Sequence, residues 1–131
     1  MFRIKYSREI VLKLLYQVDL LSLEETPEEI IEQNSNFFRG LNDPEIHFIK
    51  QMIGKLAEKR EYIDNLISKN LIGWKLQRLN PVDRTLLRMG IAESYFNTEK
   101  AIIIDDIVRI AKKYGEEDSY KIINAILDKV L

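Results

Sequence analysis

His47 is the only histidine of this 131-residue chain, and there is no cysteine. A lone imidazole without thiolates is a poor metal site, because protein metal sites combine several such ligands. Asp105 and Asp106 form a carboxylate pair, but adjacent residues of a helix point to different sides. They do not make an acid/base dyad and instead favour the N-terminal half of a helix. No serine stands in a nucleophile elbow, and no glycine-rich loop offers to cradle a phosphate. The sequence holds no catalytic constellation and calls for no cofactor or metal; it reads as a binding protein, not an enzyme.

Cations are the residues that could bind. Lys5 and Arg8 fall about one helical turn apart, with Arg3 nearby, and such groups contact phosphates, giving affinity and salt dependence but little sequence choice. Arg84 and Arg88 stand four residues apart on one helix face. The net charge is only −1, so any positive surface is local: two basic segments, 1–16 and 69–90, flank an acidic stretch from Glu24 to Glu32. If the basic segments meet in the fold they make a positive patch; otherwise they are ordinary solvated helix faces.

The elements that position these residues are helices. Apolar residues recur at helical spacing almost throughout. Ile10, Val11, Leu14, Leu15, Val18 and Leu21 stripe a first helix, with Ser7 a candidate N-cap. Thr26-Pro27 opens a second, running to about Phe38, with Glu28 and Glu29 at its positive end. Asp43-Pro44-Glu45 opens a long third, which Gly54 can bend. Asn80-Pro81-Val82-Asp83 opens a fourth, with Asn80 the cap and Asp83 reaching back to it, ending near Phe96. Arg88 is expected to pair with Glu93. A fifth helix, about Ala101 to Tyr114, ends at Gly115 as a left-handed terminator, and a sixth begins at Asp118 or Ser119. Ile102-Ile103-Ile104 can be mistaken for a strand, but its continuation keeps helical spacing. The predicted fold is all-α, one compact domain over 1–131 with six or seven helices. No apolar run approaches the ~20 residues that span a bilayer, and Lys13 interrupts Val11–Leu15, so there is no secretory leader. The absence of cysteine fits a cytoplasmic protein.

Several motifs occur together in this frame: Ser7-Arg8-Glu9 followed by Leu14-Leu15-Tyr16-Gln17; Asn80-Pro81-Val82-Asp83-Arg84-Thr85-Leu86-Leu87-Arg88; Ile104 to Gly115; and Glu117-Asp118-Ser119-Tyr120-Lys121-Ile122-Ile123-Asn124. In this order they resemble the NusB family of bacterial transcription antitermination factors, over essentially the whole chain and most strongly over 71–131. The resemblance implies two packed helical subdomains, about 1–70 and 71–131. It implies binding of single-stranded boxA RNA together with NusE, a small-subunit ribosomal protein, and tethering to elongating RNA polymerase with other Nus factors, notably on ribosomal RNA operons. Alone, such a protein is a monomer or homodimer.

Carried over residue by residue, the resemblance places Arg3, Lys5, Arg8, Arg84, Asp118, Lys121 and Ile122 at the RNA, and Tyr16, Asp83 and Gln77 at the protein partner. The chain departs from the pattern at Ile4 and Tyr6, where the family has basic residues. Ile122 stands where the family commonly has phenylalanine, a ring able to stack on a splayed base. Ala125 replaces a usual glycine, Glu99 a usual proline, and Ala92 an aromatic. Two alternatives stay open: a protein-interaction module that has lost RNA binding, and a fragment of an RNA cytosine methyltransferase carrying a domain of this type.

Overall fold

The computed structural model describes residues 4–20, 25–71, 73 and 75–131. Six α-helices follow in order: α1 Ile4–Leu20, α2 Pro27–Gln33, α3 Asp43–Lys69, α4 Pro81–Ser94, α5 Lys100–Tyr114 and α6 Ser119–Val130. Single 3-10 turns lie at Ser35–Phe38 and Leu76–Arg78, and no strand occurs among the described residues. The all-α expectation holds, including helix through Ile102-Ile103-Ile104.

Three helix starts are set by the chemistry the sequence announced. Thr26 accepts a hydrogen bond from the Glu29 amide at 3.2 Å, ahead of Pro27. Asn80 accepts from the Val82 amide at 2.8 Å, ahead of Pro81. At α3 the cap is Asn42, one residue earlier than the Asp43-Pro44 signal. Its side chain accepts from the Glu45 amide while the Glu45 carboxylate accepts from the Asn42 amide, both at 3.0 Å, a reciprocal capping box.

Other boundaries differ from expectation. Helix α1 already runs at Ile4, so Ser7 lies inside it, fully buried, and is not its N-cap. Helix α2 stops at Gln33 because Asn34 intervenes: its side-chain amide donates to the Ile30 carbonyl at 2.8 Å, satisfying a terminal acceptor. Gly54 does not interrupt α3. Gly115 ends α5 with φ −88°, outside the left-handed region. Glycine is needed there for space: a Cβ would lie 2.7 Å from the Ala111 carbonyl oxygen and 2.8 Å from Ser119. Gly73, at φ +75°, is the left-handed glycine of the 71–79 connection.

Helix α4 is the hub. Every residue from Thr85 to Glu93 is buried, as expected of a helix with neighbours on all sides. It packs on α1, α3, α5 and α6. Gly90 lets α6 approach, with the Leu127 methyls about 3.0 Å from where a Cβ would stand. Buried apolar residues from all six helices form one core cluster, from Ile10 and Leu14 through Ile49, Ile63 and Leu87 to Ile107 and Leu127.

Candidate nucleic-acid and partner interface

Helix α1 turns its charged end towards α4 and α5, and this decides what Arg8 does. Arg8 is 1% exposed. Its Nε donates to Glu93 at 2.8 Å, a second nitrogen also donates to Glu93, and Nη1 donates to Asp106 at 2.9 Å. The guanidinium also lies 5.6 Å from the centroid of the Phe48 ring. Burial opposes its charge, but the two carboxylates outweigh this and hold its pKa above the usual arginine value. Arg8 is therefore an internal anchor, not placed to meet a phosphate. The neighbouring Glu9 accepts from Lys113 at 2.8 Å, the Tyr114 hydroxyl at 2.9 Å and Arg109 at 3.2 Å. These bonds outweigh the cost of burial and lower its pKa.

The expected Arg84 contact is corrected in the same way. Arg84 donates to Asp19 at 3.1 Å through Nε, and Nη1 reaches the carbonyls of Leu79 at 3.0 Å and Leu76 at 3.3 Å. It staples the 71–79 connection to α1. Arg88 is ion-paired as expected, but to Asp64 at 2.7 Å and Asp19 at 3.0 Å rather than to Glu93, which is taken by Arg8. Burial works against the charge of Asp19, but its bonds to the two arginines prevail and its pKa is lowered. Asp105 and Asp106 separate as expected for adjacent helical residues, one exposed and one buried.

The remaining predicted residues lie at several separate places. Lys5 is exposed on α1, and Arg3 lies outside the described residues. Asp118 caps α6 without a side-chain hydrogen bond to its amides and pairs with Lys121 at 3.3 Å on the surface. Ile122 is 40% exposed. It is not a core residue but lines a shallow groove with Asn70, Leu71, Leu79, Ala125 and Lys129. Tyr16 is half-buried and lines a second, mostly apolar depression with Leu12, Gln17, Phe37, Val82 and Tyr114. Gln77 is exposed in the 3-10 turn.

Asp83 is buried beside Ser119 and does not reach back to cap α4; its Oδ1 has no hydrogen-bond partner. Burial raises its pKa, Ser119 opposes the rise and the charge of Glu116 adds to it. A carboxyl whose folded pKa is raised ionises more readily in the unfolded chain. Its contribution to stability therefore falls as pH climbs from its unfolded value, near 4, through the raised folded value, and stays low above that. Asp83→Asn should raise the urea midpoint at pH 7 above that of the wild type and have little effect near pH 3. A variant less stable than the wild type at pH 7 would show that the fold uses this anion, against the reading from burial.

Sequence reasoning missed the acceptors Asp19, Asp64 and Asp106, and gave Glu93 to Arg88 where it belongs to Arg8. It also missed Phe37 and Val82 beside Tyr16. For Phe37, its place in an aromatic pair just past α2 was the only signal.

Comparison with known proteins covers the same span as this architecture. The NusB family model matches residues 5–131. The chain is 33% identical to the transcription antitermination protein NusB of Clostridium botulinum (strain Kyoto / Type A2), covering 95% of this chain and 96% of that protein. It is also 33% identical to the NusB of Carboxydothermus hydrogenoformans, over 95% of this chain and 89% of that one. Among solved structures, T. maritima NusB superposes with a TM-score of 0.85 at 31% identity, covering 98% of this chain and 91% of that chain. A chain from a structure described as a plectonemic RNA supercoil superposes with a TM-score of 0.86 at 30% identity, covering 98% and 94%. With α1, α3, α5 and α6 packed around α4 and a likeness that runs from Lys5 to Leu131, the chain belongs to the NusB family.

Proposed function

We propose that this protein is a transcription antitermination factor that binds single-stranded boxA-type RNA with NusE as its protein partner, and that the complex rides with RNA polymerase and other Nus factors. The observation that carries this reading is the likeness, over 95% of the chain, to proteins named transcription antitermination protein NusB. Geometry supplies two distinct surfaces for two partners. The depression around Tyr16 has an apolar floor and aromatic walls from Phe37 and Tyr114, the make-up of a protein–protein anchor site. The groove along Ile122 ends at Lys129 and Asn70, a cation and an amide suited to phosphate and base edge. Single strands suit it, because A-form duplexes hide their base edges in a deep groove.

A second reading has its own observation. Arg8 and Arg84, two of the cations expected at the RNA, are committed to carboxylates inside the protein. A protein-interaction module with little RNA binding would look the same. Titrating a fluorescent boxA-type RNA and a scrambled control, with and without NusE, separates the two. The antitermination reading expects preference for boxA, strengthened by NusE. It also expects Lys5→Ala to flatten the dependence of log Kd on log salt by about 0.7, the value for one phosphate contact on a single strand. NusE binding with no RNA binding would select the interaction module.

A further inference from the structure

Helix α6 has two exposed flanks, and the groove along Ile122 uses only one. Ile122, Ala125 and Lys129 face the end of α3. The opposite flank faces α5 across a groove lined by Asp105, Val108, Arg109, Lys112, Tyr120 and Asn124. Tyr120 is half-buried and packs against the core, so its ring is held in place. Two lysines rest over it: Lys112 Nζ lies 4.8 Å and Lys121 Nζ 6.0 Å from the ring centroid. Both lysines are exposed. Arg109 forms part of the wall; Nε is bonded to Asp106 and Nη1 to Glu9, while Nη2 has no acceptor.

We propose that this groove binds a further stretch of the same single-stranded RNA, with one base stacked on Tyr120 and a phosphate held by Lys112. The inference rests on the RNA-binding reading and extends it to a second subsite. A fixed aromatic ring beside movable cations is the arrangement that binds single strands without demanding sequence. A base stacked on tyrosine is a stronger contact than an exposed lysine over the same ring. A base therefore displaces Lys112, and the freed ammonium is already beside the nucleotide's phosphate. Asn124 offers a donor and an acceptor to a base edge. Asp105, the one anion among these lining residues, repels phosphate from its end of the groove and so orients the backbone. The groove also adjoins α1. Glu9 is bonded to Arg109 and Lys113 of α5, and Lys5 lies one helical turn before Glu9.

The test compares a short boxA-type RNA with the same RNA extended at both ends, by anisotropy on the full chain. The wild type should bind the extended RNA more tightly. Tyr120→Leu should lose about tenfold on the extended RNA, as expected for one lost stack, and little on the short one, while Tyr120→Phe retains affinity. Lys112→Gln should lower the salt slope by about 0.7 on the extended RNA alone. Because Lys112 is exposed, this variant tests the groove even if Tyr120→Leu fails to fold. Wild-type affinity and slope in folded variants, or no gain from extending the RNA, would overturn the groove proposal and leave the boxA reading standing. Failure of the wild type to bind either RNA would overturn both.

Discussion

Arg8→Met is expected to destabilise the protein by about 3–5 kcal/mol, the range for removing one partner of a buried ion pair. The substitution roughly preserves volume but withdraws the guanidinium that bridges Glu93 and Asp106. Asp106 keeps Arg109 at 2.6 Å, whereas Glu93 is left with the amide of Asn97 at 2.7 Å. A buried carboxylate with a single neutral donor is the source of the loss. Adding Glu93→Gln and Asp106→Asn should recover much of it, since the uncompensated anions go with the cation, and the departure from additivity measures the coupling. Urea unfolding reads each step. A loss under about 1 kcal/mol, typical of surface ion pairs, together with weakened RNA binding, would return Arg8 to the role its place in the family pattern implies.

Gly115→Ala should cost about 1–3 kcal/mol, as overpacking does. Its φ of −88° suits any residue, so backbone preference alone predicts a slight gain from replacing glycine. Space decides the sign. The new methyl would stand 2.7 Å from the Ala111 carbonyl oxygen, a backbone atom that cannot rotate aside. On its other side is Ser119, held by the hydrogen bond that its Oγ accepts from the Glu116 amide at 2.9 Å. Relief requires α6 to move away from α5. A neutral or stabilising result in thermal unfolding would show that the turn between these helices is looser than its geometry indicates.

What the sequence revealed and what it hid divide along a physical line. Thr26-Pro27 and Asn80-Pro81 foretold helix starts because capping is chemistry between near neighbours. Gly115 foretold a helix end for the wrong reason: its place in the sequence was informative, but the demand on it comes from Ser119 in the next helix. The roles of Arg8 and Arg84 were not legible, and for Arg88 the ion pair was legible but its partners were not. Each reads as one basic residue on a helix face, and its partners lie 24 to 98 positions away. Only folding tells a cation that faces water from one that faces a carboxylate. Ile122 was placed at the surface only by resemblance: an isoleucine in an amphipathic helix could equally pack in the core, and only folding shows it on the groove. Tyr16 was placed by resemblance, and the aromatic neighbours that make its surroundings plausible as an interface come from segments far along the chain.

The bonds of Arg8 and Glu9 also bear on the order in which the molecule can assemble. Helix α1 is synthesised before its partners, since the acceptors and donors of its charged end lie at positions 93 to 114. Glu93 becomes available with α4, but Asp106 follows only with α5, and burying the cation before its anions are in place is costly. Helix α1 must therefore wait, hydrated at that end, while the contacts between α3 and α4, closer in sequence, are available earlier. Such long-range closure slows folding relative to a bundle of purely local contacts. It also makes the complete bonding of the charged end of α1 a report that the chain has been translated through its fifth helix.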